Sequence, residues 1–230
     1  MTNPTEQELK VAQMEKAEIS RLVTENVVKS TVEQTGKRYV PAAASNRHIH
    51  LSAQDIDLLF GKGYALRPDR QLSQPGQFAA VETVSIVGPK SRIDNVRVLG
   101  PARGKTQVEI LMTDAFKLGI QPVVRISGDI EGTPGATIIG PAGSIELANG
   151  VIVAMRHVHL SAEQAVYLGL KNGDLVSIKK EGVRALIFEK VPIRCGAGHY
   201  LELHLDMEEA NAGGIQNGEL LEIVAIERKS

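Results

Sequence analysis

The chain of 230 residues has little of what several function classes need. It has no tryptophan and only four phenylalanines and four tyrosines, so few rings are available to stack on nucleic-acid bases. Its formal net charge of −1 gives no excess of cations to neutralise phosphates. No hydrophobic run approaches the ~20 residues that a transmembrane helix needs. We therefore expect neither a nucleic-acid partner nor a membrane partner.

Cysteine occurs once, as Cys195, so no internal disulfide can form. The N-terminus shows no basic start, short apolar run and small-residue cleavage site of the secretory type. Both observations favour a reducing, intracellular compartment. Residues 191–194 before the cysteine are typical of ordinary strand and turn, so an inert thiol is favoured over a catalytic nucleophile.

The N-terminal segment, residues 1–34, differs from the rest of the chain. It lacks glycine, Pro4 stands near its start, and Gly36 follows its end, as expected around a helix. A narrow apolar stripe has helical spacing and consists of Leu9, Ala12, Ile19, Leu22, Val23 and Val27. We predict an amphipathic helix that either packs on its own domain or a neighbouring subunit, or docks on another protein.

From residue 38 onward, short β-rich runs alternate with glycine and proline. One example is the run 84–87, which ends at Gly88 and Pro89. Such frequent short runs indicate small barrels or sandwiches and not a doubly wound parallel sheet. The glycine-rich stretch 128–150 predicts hairpins and connecting loops.

An internal repeat organises the chain. Residues 47–53 return at 156–162 with six of seven identical, an offset of 109. A fainter echo relates residues 108–113 to 201–206, an offset of 93. In both cases an alternating strand is followed at once by a helix-capping residue and a helix. The chain is therefore predicted to contain two related halves.

These patterns together predict the fold class. We expect a mainly β chain with short helices and two related halves, each a small barrel or sandwich with a capping helix, plus the N-terminal helical extension. The first half is predicted over 47–154 and the second over 155–226, joined by a strand at 37–46. Ser52 and Ser161 stand at the predicted helix N-caps.

Each repeat carries a pair of histidines. Alternate side chains of a strand share a face, so His48 lies beside His50, and His157 beside His159. A single strand histidine is usually structural, but packing gives no reason for the same pair in both halves. Imidazole nitrogens suit zinc, copper, nickel or iron. The pairs therefore predict metal binding.

The fainter echo adds further ligands by the same alternation. Glu109 and His204 lie opposite the apolar faces of their strands, and Glu202 is a reserve candidate. Five histidines and one carboxylate could hold two metals, each with fewer than four protein ligands. Open coordination of this kind indicates catalysis or substrate binding.

Four other polar residues are interpreted as either functional or structural. Arg103 lies in a glycine-flanked turn and could bind an oxyanion through its planar guanidinium, although a surface role is also open. His199 has the alternation of the apolar face and is interpreted as structural or loop-borne. Arg47 and Arg156, which precede the histidine pairs, are interpreted as edge or interface residues.

The sequence resembles the PduL-type phosphate propanoyltransferases, which are phosphotransacylases associated with bacterial microcompartments. The resemblance covers nearly the whole chain and rests on four blocks in a fixed order, VPAAASNRHIHLS, GPARGKTQVEI, MRHVHLS and CGAGHYLELHLD. The resemblance implies the fold of that family, which consists of two related small β-barrels capped by helices.

The resemblance also implies an activity. Members transfer an acyl group between coenzyme A and inorganic phosphate, here propanoyl-CoA, using two zinc ions per chain. It assigns Arg103 as the functional arginine, and the metal ligands as His48, His50, Glu109, His157, His159 and His204. Coenzyme A would be a substrate, and Ser127 and Asn211 are candidate contacts because they are polar and adjacent to glycine.

The resemblance further implies partners and a location. Residues 1–34 would recruit the enzyme to shell or core proteins of a microcompartment in the bacterial cytoplasm. A homo-oligomer is compatible with the sequence.

Three alternatives stay open. A metal-dependent hydrolase of the amidohydrolase kind also carries His-x-His, but its (β/α)8 barrel typically takes about 250 residues and shows alternating long helices. A cupin would need a glutamate a few residues beyond each pair. A metal-stabilised scaffold component of a protein shell would show no turnover.

Overall fold

The computed structural model describes the backbone of residues 6–229 and the side chains from Glu18 to Lys229. Predictions for residues 1–5, and for the side chains of Leu9 and Ala12, lie outside the described residues. The helices are α1 Glu6–Thr35, α2 Ala53–Phe60, α3 Met112–Leu118, α4 Ala162–Leu168 and α5 Met207–Gly213. The strands are β1 Arg38–Ser45, β2 His48–Ser52, β3 Pro68–Gln71, β4 Phe78–Val87, β5 Arg92–Arg103, β6 Gln107–Ile110, β7 Val124–Arg125, β8 Ala136–Ile139, β9 Ser144–Leu147, β10 Val151–Ala154, β11 His157–Leu160, β12 Leu175–Lys180, β13 Leu186–Cys195, β14 Glu202–Asp206 and β15 Leu220–Glu227.

One group of strands closes into a barrel in the order β1-β14-β11-β13-β12-β15. Strand β12 pairs antiparallel with β13 and β15, β1 pairs antiparallel with β15, and β11 runs parallel to β13. In β14 the leucines are buried and the residues between them are half-buried, which is the expected period of two. The buried apolar side chains of these strands include Val158, Leu160, Ile178, Ile193 and Leu203.

The other strands form a nine-stranded curled sheet. Its order is β7-β10-β6-β2-β5-β4-β8-β9, and β3 pairs with β4. Strand β2 runs antiparallel to β6 and parallel to β5, so it lies in the interior of the sheet. Its apolar residues Ile49 and Leu51 belong to a buried core with Ile86, Val98 and Ile138. The polar residues of β2 therefore face away from that core.

The predicted fold class is confirmed. The described chain is mainly β, its helices after α1 are short, and an N-terminal helix precedes the strands. One half is a closed barrel and the other is the curled sheet. The hairpin predicted within 128–150 is present as the antiparallel pair β8 and β9. The boundaries 47–154 and 155–226 stay predictions.

Helix α1 has one face turned to the barrel unit. Arg21 lies over the ring of Tyr200 at 3.9 Å, and Glu25 accepts a hydrogen bond of 3.1 Å from Gln164 of α4. Val28, one turn further on, is fully buried. The opposite side carries four exposed apolar residues, Ile19, Leu22, Val23 and Val27. The part of the predicted apolar stripe from Ile19 to Val27 thus points to solvent, while a mixed face packs on the unit.

Within residues 6–229, no helix combines the length and apolar character needed to cross a membrane.

Candidate metal centre

Two neighbouring strands bring together the first donor group, which we define as His48, His50 and Glu109. In the antiparallel pair β2–β6, His48 lies directly opposite Glu109, and His50 lies opposite Gln107. All four side chains therefore point to one face, as the alternation predicts. Glu109 Oε2 is 3.3 Å from His48 Nε2, and Oε1 is 3.9 Å from His50 Nε2. One ligand atom from each member lies within 4.8 Å of the others, and all three residues are buried.

The second donor group consists of His157, His159 and His204. It lies on β11 and β14, which are adjacent in the barrel. Its ligand atoms also lie within 4.8 Å of one another. The rings of His157 and His204 have their centroids 5.0 Å apart. The structure thus brings all six predicted ligands into two groups of three.

Hydrogen bonds orient one histidine of each group. His48 Nδ1 lies 2.8 Å from the carbonyl oxygen of Asn46, and His157 Nδ1 lies 2.9 Å from that of Met155. A carbonyl oxygen can only accept, so in each ring Nδ1 carries the proton. In the neutral ring the lone pair is then on Nε2, the nitrogen through which each ring would bind a cation.

The electrostatics of the first donor group favour the protonation states in which its histidine and carboxylate side chains can bind a cation. Burial, followed by the charges of His48 and Arg103, lowers the pKa of His50 to about 3. Burial alone would raise the pKa of Glu109, but the two histidines, a hydrogen bond with Ser127 and the Arg103 charge lower it to about 2. At neutral pH His50 is therefore a neutral donor and Glu109 an anion.

Four strand–helix junctions set the positions of these donors. His50, Glu109, His159 and His204 each stand two residues before the N-cap of the following helix. Ser52, Ser161 and Asp206 cap their helices by accepting from the backbone N–H three residues on.

The fourth junction is capped in a different way. Leu111 stands at the N-cap of α3 and has no polar side chain. The backbone N–H groups of Met112 and Thr113 donate instead to the carboxylate of Glu208, each at 3.1 Å. These bonds satisfy donors that would otherwise be unpaired at a helix start.

The junctions correct the register of the fainter echo. Aligning the N-caps Leu111 and Asp206 gives an offset of 95, not 93, and then Glu109 corresponds to His204. A shift of two residues leaves strand alternation unchanged, so the alternation could not detect the error. The aligned helices begin Met-Thr-Asp-Ala and Met-Glu-Glu-Ala, which is the signal that fixes the offset.

The two arginines before the histidine pairs hold equivalent carboxylates. Arg47 donates to Asp114 at 2.7 Å, and Arg156 donates to Glu209 at 2.6 Å. Both carboxylates stand three residues after an N-cap. The interpretation of these arginines as edge or interface residues missed this contact, which ties each pair's strand to a helix start.

Arg103 lies half-buried at the end of β5 and donates to Ser127 Oγ at 3.3 Å. Ser127 Oγ also accepts from Gln107 at 2.8 Å. The charge of Arg103 acts on both His50 and Glu109, so the guanidinium lies near the first donor group. Arg103 and Ser127 are predicted from the sequence, whereas Gln107 is not, although it shares the face of Glu109 at a spacing of two.

Several other candidates lie outside the donor groups. Asn211 is exposed on α5, and its role stays a prediction. Glu202, the reserve candidate, is half-buried on β14 and belongs to neither group. Burial and the Asp174 carboxylate raise the pKa of Cys195, which agrees with an inert thiol.

His199 is loop-borne, following Gly196–Gly198, but it contacts the second donor group. Its Nδ1 lies 3.2 Å from Nδ1 of His159, and the two ring centroids are 4.1 Å apart. Strand alternation does not predict this contact, because His199 precedes β14 and is not part of a strand.

The chain is similar to known proteins of one family. A family model described as phosphate propanoyltransferase matches residues 41–216. A phosphate propanoyltransferase of Thermotoga maritima is 55% identical over 181 residues, covering 78% of this chain and 86% of that protein. One from Rhodobacter capsulatus is 47% identical, covering 89% and 96%, and one from Salmonella typhimurium is 47% identical, covering 84% and 92%.

Proposed function

Because the chain belongs to the phosphate propanoyltransferase family, we propose that it transfers a short acyl group between coenzyme A and phosphate with the help of two zinc ions. The reaction is propanoyl-CoA plus phosphate giving propanoyl phosphate plus coenzyme A. The observation that carries the zinc part is the pair of three-member donor groups, His48-His50-Glu109 and His157-His159-His204.

The first donor group fits zinc by its chemistry. Zinc accepts imidazole nitrogen and carboxylate oxygen, and a catalytic zinc commonly has three protein ligands and one open position. His48 presents Nε2 because Asn46 holds its Nδ1 proton, and Glu109 stays ionised. The second donor group offers three imidazoles, a set that zinc also accepts. When bound, zinc would supply Lewis acidity that polarises an oxygen and stabilises a leaving thiolate.

Arg103 is the residue that binds phosphate in this proposal. Its guanidinium can donate two parallel hydrogen bonds to one anion. The contact with Ser127 limits the conformations of the side chain, so less freedom is lost when phosphate binds. Arg103 would therefore hold phosphate in position for attack on the thioester carbonyl, and no covalent acyl-enzyme is needed.

Two residues are proposed to contact coenzyme A. Ser127 lies beside Arg103 and Gln107, which supports a role on the phosphate side of the substrate site. Asn211 is exposed on α5 and free to meet a bulky substrate such as coenzyme A.

We propose that α1 recruits the enzyme into a bacterial microcompartment through a shell or core protein. The four exposed apolar side chains of α1 support this role, because they do not contribute to the buried side of the helix. Replacing the four exposed residues Ile19, Leu22, Val23 and Val27 with serine should abolish recruitment and leave turnover per chain unchanged, because the buried side of α1 is kept. A recruited serine variant would contradict the proposal.

The function is tested by following free thiol release from propanoyl-CoA with and without phosphate, together with metal analysis of the same sample. We expect phosphate-dependent release, about two zinc ions per chain, and loss of activity in His48→Ala and His157→Ala. Release without phosphate would indicate a metal-dependent hydrolase instead. No release from a fully metallated sample would indicate a scaffold component.

A further inference from the structure

Gln107 is a buried amide that the proposed chemistry does not use. It lies on β6, is 2% exposed, and stands directly opposite His50. Its Nε2 donates to Glu109 Oε1 at 2.7 Å and to Ser127 Oγ at 2.8 Å. Its Oε1 accepts from the backbone N–H of Gly128 at 2.7 Å. Both donors and the acceptor of the amide are therefore engaged.

The orientation of this amide follows from its partners. A backbone N–H can only donate, so the Gly128 contact requires the amide oxygen on that side. The NH2 group must then face Glu109 and Ser127. An ionised carboxylate can only accept, which agrees with the same orientation. A flipped amide would place its NH2 group against the Gly128 N–H, so that a donor would face a donor. It would also place its oxygen against the Glu109 carboxylate, so that an acceptor would face an acceptor.

The hydrogen bond from Gln107 gives the two carboxylate oxygens of Glu109 different partners. Oε1 accepts from Gln107, whereas Oε2 is the oxygen nearer to His48, at 3.3 Å from its Nε2. Without the amide, the carboxylate could rotate about its terminal torsion, which has broad minima. The hydrogen bond therefore holds Oε2 towards the nitrogen of His48.

We propose that Gln107 is the positioning residue of the first donor group, holding Glu109 so that Oε2 meets the cation and tying Ser127, and through it Arg103, to the same place. The inference rests on the proposed zinc function. Partners of this kind, hydrogen-bonded to a metal ligand, usually change metal affinity by about 10- to 100-fold when they are removed.

Loss of the Gln107 amide should weaken zinc binding by the first donor group and leave the second donor group unchanged. With the N-caps aligned, Gln107 corresponds to Glu202, and Glu109 corresponds to His204. An imidazole ring has no second carboxylate oxygen to restrain. The second donor group therefore does not depend on an amide donor at this position.

The test measures zinc binding to metal-free protein by competition with a chromogenic chelator. Gln107→Met keeps the length of the side chain and removes both donors, and Gln107→Asn keeps the amide but shortens it by one methylene. Gln74, which is also buried, provides the matched control Gln74→Met. Thermal unfolding of each metal-free variant reports whether it folds.

We expect Gln107→Met to weaken one zinc equivalent about 10- to 100-fold and leave the other unchanged. Gln107→Asn should weaken the same equivalent less, and Gln74→Met should weaken neither. Wild-type affinity for both equivalents in folded Gln107→Met would overturn the inference, as would equal weakening of both. If the wild-type protein itself binds no zinc, the proposed function fails, which is a separate and distinguishable result.

Discussion

Acidification should destabilise the metal-free protein between about pH 6.5 and pH 4.5, and His50 should be a main cause. The burial of His50, with the charges of His48 and Arg103, lowers its pKa from 6.5 to about 3 in the folded state. Below pH 6.5 the unfolded chain takes up a proton at this histidine, whereas the folded chain does not. Stability therefore falls as pH falls, because the unfolded state binds more protons.

The magnitude follows from the size of the pH window. A full proton difference changes the free energy of unfolding by about 1.4 kcal/mol per pH unit. Lowering the pH from 6.5 to 4.5 should thus cost about 2–3 kcal/mol through His50 alone. Glu109 does not contribute in this window, since the pKa shift from 4.5 to about 2 removes its stabilisation only at lower pH.

Urea unfolding in the presence of a chelator measures this slope at pH 7.5, 6.5, 5.5 and 4.5. The wild-type protein and His50→Gln are compared, so that contributions from titrating groups distant from His50 cancel. The variant should show a slope smaller by about 1 kcal/mol per pH unit between pH 6.5 and 4.5. Equal slopes in the two proteins would refute the reasoning.

Three further outcomes follow from the structure. Ile49→Ala should lower the free energy of unfolding by about 2–5 kcal/mol in urea, because the side chain is fully buried, whereas Ile139→Ala on an exposed position should change it by less than about 0.5. Ser161→Ala should cost about 1 kcal/mol by removing the cap of α4, seen as a lower thermal midpoint; no change would contradict the capping role. His199→Ala should weaken one zinc equivalent by about tenfold in the chelator assay, because it removes the contact with His159; unchanged binding would show that the contact is incidental.

Much of the fold was predictable because the repeated segments follow the local rules of strand alternation and helix capping. The repeated segments 47–53 and 156–162 predict the same strand, cap and helix, and both junctions form. The alternation of side chains then predicts the donors of both groups, since it depends on strand geometry and not on distant contacts. These features are local, so the sequence alone carries them.

Contacts between distant segments were not predictable in the same way. The pairing of Arg47 with Asp114 joins residues 67 positions apart, and that of Arg156 with Glu209 joins residues 53 positions apart. Only the register of strands and helix starts decides these pairs. The role of Gln107 was not predictable for the same reason, because its partner Ser127 lies on a separate loop.

The fixed distance between each donor and its helix start has a consequence for insertions and deletions. Because side chains alternate along a strand, losing one residue between His159 and its cap would turn the imidazole to the opposite face of the strand. A change of length at any of the four junctions should therefore remove a donor, even where every donor residue is kept. The exposed turn at 181–185, between β12 and β13, has no such constraint and is the place where an inserted tag or label should be tolerated.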